Sequence, residues 1–193
     1  MTFQEPGRLK VFTSVSLPSI FYGLLSPYYK RYIKSLGLKG NEKVLDFGSG
    51  LGIESGNLAK VLLKQSGWLT CLDISELRIK FAQKRLKKYP NVDFKIGDST
   101  RLSVENSSYD AVFIHFVLHH VKGDVRQETV KTMARVLNAG GKLFIREPLI
   151  MKHGMSADEI RGMMTQSGLR EVDCKITQFL GLGQIYTGVF EKK

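Results

Sequence analysis

The sequence predicts an α/β fold, a doubly wound sheet of mostly parallel strands with helices on both faces. Short apolar segments alternate with amphipathic helical patterns along most of the chain, and several are apolar on both faces, as strands covered on both sides are. The first of them, VLDF at residues 44–47, leads into the glycine-rich turn GSGLG. Near the other end of the chain, two strand-like segments are joined by a linker too short for a helical crossover, which predicts an antiparallel pair.

The remaining strand-like segments follow in order. They are GWLTCLDIS, NVDFKIGDST, SYDAVFIHFVLHHV and GKLFIREPLI. A helix that we expect to end at Gly140 separates the last two. Another helix, which Ser156 and Glu159 can cap, precedes the final pair REVDCKITQFL and QIYTGVFEKK.

The N-terminal part has a different composition. Residues 1–25 mix proline, glycine and apolar residues, which predicts an irregular arm or a broken helix. Ser26 and Pro27 then favour the start of a helix that Gly37 ends. One side of that helix is aromatic and apolar, and the other carries Lys30, Arg31 and Lys34. Such a helix could rest on an anionic membrane or pack over the domain with its charges in water, and the packed helix is favoured.

Length and composition indicate one compact domain. The chain has 193 residues, of which 42% are hydrophobic. We expect residues 1–40 to form an arm and amphipathic helix covering the active site, and residues 41–193 to form the main domain. No apolar run reaches the roughly 20 residues of a membrane span, and the N-terminus lacks a signal peptide's hydrophobic region, so we expect a cytoplasmic protein. Cys71 and Cys174 have no CxxC spacing, which predicts buried, reduced thiols and neither a disulfide nor a metal site.

The charge balance is strongly basic. Lys and Arg number 29 against 18 Asp and Glu, a formal net charge of +11. An excess of this size favours an anionic partner, which could be nucleic acid, an acidic membrane surface or a phosphorylated substrate. It could equally serve solubility alone.

Three carboxylates follow or end successive predicted strands. Asp46 lies beside the glycine turn, and Asp73 and Asp98 end the second and third strands. Ligands of doubly wound sheets bind outside the carboxyl ends of the strands, so the three should converge where the glycines open a pocket. Asp73 is placed to accept hydrogen bonds from both hydroxyls of a ribose. The sequence therefore predicts a site for a nucleotide-like ligand.

Taken together, these motifs resemble those of class I S-adenosylmethionine-dependent methyltransferases. VLDFGSGLG resembles the family's glycine motif, LTCLDIS its ribose motif, FKIGDST its adenine motif, and SYDAVFIHFVLHHV the stretch that lines the methionine end. The final antiparallel pair is similar to the family's reversed seventh strand. The resemblance implies a Rossmann-like sheet of seven strands with an antiparallel last strand. It also implies S-adenosyl-L-methionine as cofactor and S-adenosyl-L-homocysteine as product.

The resemblance also implies a set of cofactor-binding residues. Asp73 would bind the ribose hydroxyls, Ile74 would pack on the adenine, and Asp98 would accept a hydrogen bond from the adenine amino group. His115 and Phe116 would flank the methionine and the methyl group. The full set is Asp46, Phe47, Gly48, Ser49, Gly50, Asp73, Ile74, Asp98, Ser99, His115 and Phe116.

The candidates on the acceptor side are His119, His120, Glu147 and Tyr22. A general base is needed only if the acceptor must lose a proton. For the two histidines a structural role is the main alternative, because a histidine at an apolar helix start is more often a hydrogen-bonded structural residue. Glu147 and its neighbour Arg146 should face opposite sides of their strand, and we expect Glu147 to face the pocket.

The acceptor is the least determined part. The motif of family members that methylate amino groups of bases or glutamine is absent, as is a Pro-Cys nucleophile. SYDAV, FVLHHV, the aromatic arm and YTGVFEKK resemble the ubiquinone/menaquinone-type and bacterial phosphatidylethanolamine N-methyltransferases. This implies a small-molecule or lipid-type acceptor, a phospholipid headgroup or a quinone-like compound, with peripheral contact to an anionic membrane through the basic arm. The alternatives are a soluble metabolite, a protein or an RNA group, nucleic acid being the less favoured partner, or a regulatory protein that binds S-adenosylmethionine without turnover.

Overall fold

The computed structural model describes residues 19–98, 104–149, 154–179 and 183–193, with only the backbone described for residues 19–26. Its centre is a sheet of seven strands in the order β3-β2-β1-β4-β5-β7-β6. The strands are β1 Lys43–Phe47, β2 Trp68–Asp73, β3 Val92–Ile96, β4 Tyr109–His115, β5 Leu137–Pro148, β6 Leu169–Phe179 and β7 Gly183–Lys192. The helices are α1 Ser19–Ser35, α2 Ile53–Leu62, α3 Glu76–Leu86, α4 Gly123–Val136 and α5 Ala157–Gln166.

The strand directions confirm the predicted fold. β1 to β5 run parallel to one another, whereas β7 is antiparallel to both β5 and β6. This is the Rossmann-like arrangement with a reversed last strand. The carboxyl ends of β1, β2 and β4 therefore meet at one edge of the sheet, where the acids and aromatic residues of the sequence motifs lie.

Two apolar layers cover the sheet because its central strands are apolar on both faces. Phe113 and Phe144 pack with side chains of α1 and α2 on one face. Ile114 and Ile145, their neighbours in sequence, pack with side chains of α4 and α5 on the other. Successive residues of a strand point to opposite faces, so this alternation determines which face every residue at the ends of β4 and β5 occupies.

The first helix is longer than expected. It begins at Ser19, and Pro27 lies inside it instead of at its first turn. An internal proline removes one hydrogen bond and costs roughly 3 kcal/mol. Burial of Ile33 and Leu36 against the sheet offsets part of this cost. The described apolar side chains of α1 thus pack on the domain, while membrane contact and the role of residues 1–40 as a cover of the site stay predictions.

Other details differ by a few residues. α4 ends at Val136, not at Gly140, because Leu137 already pairs with Tyr109 of β4 ahead of a shift in register. Ser156 caps α5 as predicted, its hydroxyl accepting a hydrogen bond from the Glu159 N–H at 3.0 Å. Both cysteines are free, but Cys174 is only half-buried. Among the described residues, none of the helices has the length and apolar content that a membrane crossing requires.

Candidate active site

The glycine turn after β1 has a backbone that only glycine adopts readily. Gly48 and Gly50 have φ values of 74° and 54°, in the left-handed region. The N–H groups of Gly48 and Ser49 both donate to the Leu72 carbonyl, which ties the turn to β2. A Cβ on Gly48 would lie 2.4 Å from a methyl carbon of Val117. The turn therefore lies directly against the segment that follows β4.

Asp73 is held in place at the end of β2. Its two carboxylate oxygens accept hydrogen bonds from the Gly50 N–H at 2.9 Å and the Ser75 N–H at 2.8 Å. Each oxygen keeps a second acceptor position. A carboxylate oriented in this way, at the edge where the glycine turn opens, can accept hydrogen bonds from two neighbouring hydroxyls.

An apolar surface lies next to this carboxylate. Ile74, which follows Asp73, is 52% exposed, and Ile96, which pairs with Asp73 across β2 and β3, is 51% exposed. Exposed isoleucines beside a buried acid suit the flat face of an aromatic base. Asp98 lies on the surface just beyond β3, whereas Ser99 lies outside the described residues.

Asp46 lies below the turn and is protected from water. Its carboxylate accepts a hydrogen bond of 2.6 Å from the Ser55 hydroxyl on α2. Burial raises the pKa of Asp46 to about 7, with smaller contributions from Glu54 and Asp73. The nearby Ser49 hydroxyl is buried and has no hydrogen-bond partner among the described residues. The buried Cys71 thiol of β2 is the polar group that interacts with it.

The end of β4 is aromatic. The His115 ring stacks on Phe116 with centroids 4.3 Å apart and lies 5.5 Å from Tyr29 and 5.8 Å from Tyr32, both on α1. Burial lowers the pKa of His115 to about 3, so the imidazole is neutral. Its contact with Glu54, 3.8 Å from Nδ1 to Oε1, is therefore not an ion pair. Phe116 has a φ of 57°, a strained value for a residue with a side chain.

The expected orientation of Glu147 is wrong. Strand alternation places Glu147 on the face of Ile145, while Arg146 shares the face of Phe144, on which α1 packs. Glu147 Oε1 accepts hydrogen bonds from the N–H groups of Val117 and Leu118, and Oε2 lies 2.6 Å from His119 Nδ1. Both oxygens are thus engaged within the protein, and Glu147 supports the turn after β4 instead of facing an acceptor.

The other acceptor-side candidates differ in their surroundings. His119 is buried and bound to Glu147, which fits the structural role weighed for it. The His120 ring lies beside it, with centroids 3.9 Å apart, and is exposed. The side chain of Tyr22 lies outside the described part of α1. Catalytic roles for His119, His120 and Tyr22 stay predictions.

Arg146 is the residue at this edge that sequence reasoning missed. Its guanidinium carbon lies 4.5 Å from the ring centroid of Tyr28, 4.8 Å from that of Tyr32 and 5.7 Å from that of Phe116. A signal was present in the sequence, because Tyr28 and Tyr32 are four residues apart and share one face of a helix. We refer to Arg146, Tyr28, Tyr32, His115 and Phe116 as the aromatic box.

Comparisons with known proteins identify the family and the fold. A family described as "Methyltransferase domain" matches residues 44–141, just over half of the chain. The demethylmenaquinone methyltransferase of Tropheryma whipplei (strain Twist) is 31% identical over 114 residues, which is 59% of this chain and 45% of that protein. Phosphoethanolamine N-methyltransferase 1 of Caenorhabditis elegans is 28% identical over 115 residues, which is 60% of this chain and 23% of that protein. The chain thus spans less than half the length of these relatives.

A solved structure shows the same fold. The crystal structure of a SAM-dependent methyltransferase from Aquifex aeolicus aligns with a TM-score of 0.74 and 18% identity, covering 92% of this chain and all of that one. The match to the methyltransferase domain spans both the glycine turn and the carboxylate that the turn orients. By that match and by its fold, the chain belongs to the class I S-adenosylmethionine-dependent methyltransferase family.

Proposed function

We propose that the protein transfers the methyl group of S-adenosylmethionine to a small-molecule or lipid-type acceptor. The observation that carries the proposal is the Asp73 carboxylate, which Gly50 and Ser75 orient at the open edge of the glycine turn. The bound cofactor would supply an electrophilic methyl group on a cationic sulfur. The work of the protein is to align donor and acceptor, because proximity and orientation account for most of what such a transfer needs.

Each part of the site has a definite task in this proposal. Asp73 binds the ribose hydroxyls, and Ile74 offers an exposed apolar face to the adenine. The buried Ser49 hydroxyl is available to the methionine portion. His115 is neutral and stacked on Phe116, so this wall adds no positive charge beside a cationic sulfur and presents aromatic faces to it.

For the acceptor we infer a phospholipid headgroup or a quinone-like compound. The two relatives support this class by their names, which mention demethylmenaquinone and phosphoethanolamine. The exposed basic side of α1 supports a peripheral contact with an anionic membrane, since Lys30, Arg31 and Lys34 all face solvent while the opposite side of the helix is buried. A cation near an anionic surface contributes about 1 kcal/mol, so even a few of them favour docking.

The acceptor class is tested with methyl-labelled S-adenosylmethionine. Extracts of lipids, small molecules, protein and RNA are each incubated with the purified protein and the labelled donor. We expect label in the lipid or small-molecule fraction and none with the Asp73→Ala variant. Label in protein or RNA would overturn the acceptor class. Cofactor binding without transfer to any fraction would favour a regulatory protein that only binds S-adenosylmethionine.

The membrane contact is tested by a matched pair of triple variants. Replacing Lys30, Arg31 and Lys34 by Gln removes three charges from α1, whereas replacing Lys84, Lys87 and Lys88 removes three from the region of α3. At low salt, the affinity of the α1 variant for anionic vesicles should fall by up to about 100-fold. The affinity of the α3 variant should stay close to that of the unmodified protein. If both triple variants lose the same vesicle affinity, net charge alone explains the binding. If the unmodified protein does not bind anionic vesicles, the proposed membrane contact is wrong.

A further inference from the structure

Several buried polar groups in the aromatic box lack a partner. Among the described residues, no hydrogen bond is made by the Tyr32 hydroxyl, by His115 Nε2, or by Nε and Nη1 of Arg146. Arg146 is only 3% exposed. Leaving buried donors unpaired costs free energy, so native proteins rarely do it, and a group of such donors in one place calls for a functional reason.

These groups belong to one compartment at the carboxyl ends of β4 and β5. His115 and Arg146 are directly paired in the sheet register and lie on its α1 face. The Tyr32 ring lies 4.8 Å from the Arg146 guanidinium carbon and 5.8 Å from the His115 ring centroid. Tyrosine, arginine and the neutral imidazole can each donate a hydrogen bond. The compartment is thus rich in donors. Among the described residues, no acceptor forms a hydrogen bond with these groups, and the Glu54 carboxylate comes only to 3.8 Å from His115 Nδ1.

The charge of Arg146 is also unbalanced. Burial lowers its pKa to about 10, so it stays protonated at neutral pH. In the described part of the chain it forms no ion pair, and the adjacent Glu147 uses both oxygens for the turn after β4. The rings of Tyr28, Tyr32 and Phe116 attract the guanidinium but cannot neutralise it. The proposed methyl donor is itself a cation, which makes a second cation at this edge still less favourable unless an anion accompanies it.

We propose that the methyl acceptor carries an oxyanion group, a phosphate or a carboxylate, that binds in the aromatic box. Arg146 pairs with the oxyanion, and Tyr32 and His115 donate further hydrogen bonds to it. The planar guanidinium suits two oxygens of one phosphate or carboxylate, which orients the acceptor as well as holding it. The inference rests on the proposed methyl transfer and narrows its acceptor to an anionic one.

The competing interpretation is that Arg146 serves only the packing of α1 through its aromatic contacts. The packing role and the anion-binding role predict different effects of the Arg146→Met substitution. If packing is the only role, Arg146→Met loses the ring contacts, lowers the melting temperature and changes no ligand affinity. If the aromatic box binds an anion, Arg146→Met removes a buried charge that has no counterion in the ligand-free protein. The variant should then keep or gain thermal stability without ligand and lose anion binding.

The test uses the full chain saturated with S-adenosylhomocysteine and titrates it with inorganic phosphate, phosphoethanolamine and ethanolamine. We expect saturable binding of the two phosphate compounds, and a shift of the Arg146 Nε–H signal in nuclear magnetic resonance spectra. Ethanolamine, which lacks the phosphate, should give neither. For the Arg146→Gln variant, phosphate affinity should fall about tenfold or more, whereas S-adenosylhomocysteine affinity should stay within twofold.

Matched variants separate a local effect from net charge. Arg170→Gln also removes one positive charge, but from an exposed pair with Glu191 at the far edge of the sheet, and it should keep full phosphate affinity. Arg146→Lys keeps the positive charge but loses the planar guanidinium, so its phosphate affinity should lie between those of Arg146→Gln and Arg170→Gln. Equal effects of Arg146→Gln and Arg170→Gln, or no saturable phosphate binding by the unmodified protein, would overturn the inference. If Arg146→Gln does not fold, the shift of the Arg146 signal in the unmodified protein decides.

The outcomes also separate this inference from the proposed function. If the protein does not bind S-adenosylhomocysteine, the proposed methyltransferase function is wrong. If it binds S-adenosylhomocysteine but shows no Arg146-dependent anion binding, only the inference about the acceptor is wrong. Vesicles of phosphatidylglycerol are compared with soluble phosphoethanolamine to identify the source of the anion. Arg146-dependent binding of the vesicles points to a lipid headgroup, and binding of the soluble compound alone points to a free phosphate ester.

Discussion

At the scale of single residues, Glu147 is fully buried and accepts hydrogen bonds from two backbone N–H groups while its other oxygen meets His119. Its neighbour Arg146 is nearly as buried, but its Nε and Nη1 have no hydrogen-bond partner in the part of the chain that the structure describes. Glu147 thus has its hydrogen bonds within the protein, whereas Arg146 is the residue on which the proposed anion site depends.

The support that Glu147 provides can be measured as stability. Glu147→Ala leaves two N–H groups and the His119 ring without an acceptor and should lower the free energy of unfolding by about 3–5 kcal/mol. Glu147→Gln should cost clearly less, because its amide oxygen still accepts from the backbone and its NH₂ group can donate to His119 in the other tautomer. Urea denaturation of both variants checks this. Equal losses of unfolding free energy in the two variants would show that the hydrogen bonds of Glu147 do not account for its contribution to stability.

Asp46 predicts a dependence of stability on pH. Its folded-state pKa of about 7 lies above the ordinary value, so between about pH 4 and pH 7 the folded protein keeps a proton that the unfolded chain releases. Stability from this group is complete below pH 4 and is lost as the pH rises to 7. The Asp46→Asn variant has no such titration. The difference in free energy of unfolding between variant and unmodified protein should therefore rise by up to about 4 kcal/mol in favour of the variant from pH 4 to pH 7 and change no further above pH 8. Urea denaturation at several pH values measures the difference, and a constant difference would contradict the assignment.

At the scale of elements, the turn between β1 and α2 depends on close contact with the segment after β4. Gly48 touches Val117 because it has no Cβ. Val117 is in turn held by Glu147 through its N–H group. The glycine turn, the end of β4 and the end of β5 therefore form one contiguous support for the site, although they lie far apart in the sequence.

Two glycines test this dependence. Gly48→Ala puts a Cβ 2.4 Å from a Val117 methyl carbon at a φ of 74°, so strain and overpacking together should destabilise the protein by about 2 kcal/mol or more. Gly162→Ala, inside α5 with no atom within 4 Å of the new Cβ, should instead stabilise it by about 0.5–1 kcal/mol. Thermal unfolding of both variants measures the two effects, and similar shifts in the same direction would refute the argument.

At the scale of the whole molecule, the sheet brings residues from four separate segments to one edge. The reversed β7 lies between β5 and β6 and joins the edge strand β6 to the rest of the sheet. α1 packs on the same face as His115 and Arg146, so the N-terminal helix contributes directly to the aromatic box. Ligand binding at that edge should therefore stabilise the fold as a unit.

This coupling can be measured by thermal unfolding. S-adenosylhomocysteine at about 100 times its dissociation constant should stabilise the folded protein by about 2.7 kcal/mol and raise its melting temperature by a few degrees. Asp73→Ala should weaken binding by more than about 1 kcal/mol, since a charged acceptor of two hydrogen bonds is lost. Asp93→Ala, on the neighbouring strand and bonded to the Trp68 indole, serves as the control. Unchanged affinity of the Asp73 variant would discredit the site.

The sequence motifs were enough to predict the fold and the cofactor. Alternating apolar segments and the glycines at 48 and 50 are local signals. The strand-end acids lie farther apart in the sequence, and the structure places the turn and Asp73 in direct hydrogen-bond contact. The start of α1 was not predictable in the same way, because Pro27 inside a helix is tolerated only through tertiary packing.

The sequence by itself determined the succession of strands and helices along the chain and the antiparallel direction of the last pair, since periodicity, turn chemistry and loop length are local properties. The resemblance of its motifs indicated the family, and the order of the strands in the sheet came from the structure. Only the tertiary structure decided which of Arg146 and Glu147 faces α1. Alternation along a strand says that two neighbours point in opposite directions, but the packing of whole helices on each face decides which direction is which. That Nε and Nη1 of Arg146 have no hydrogen-bond partner among the described residues is likewise visible only in three dimensions.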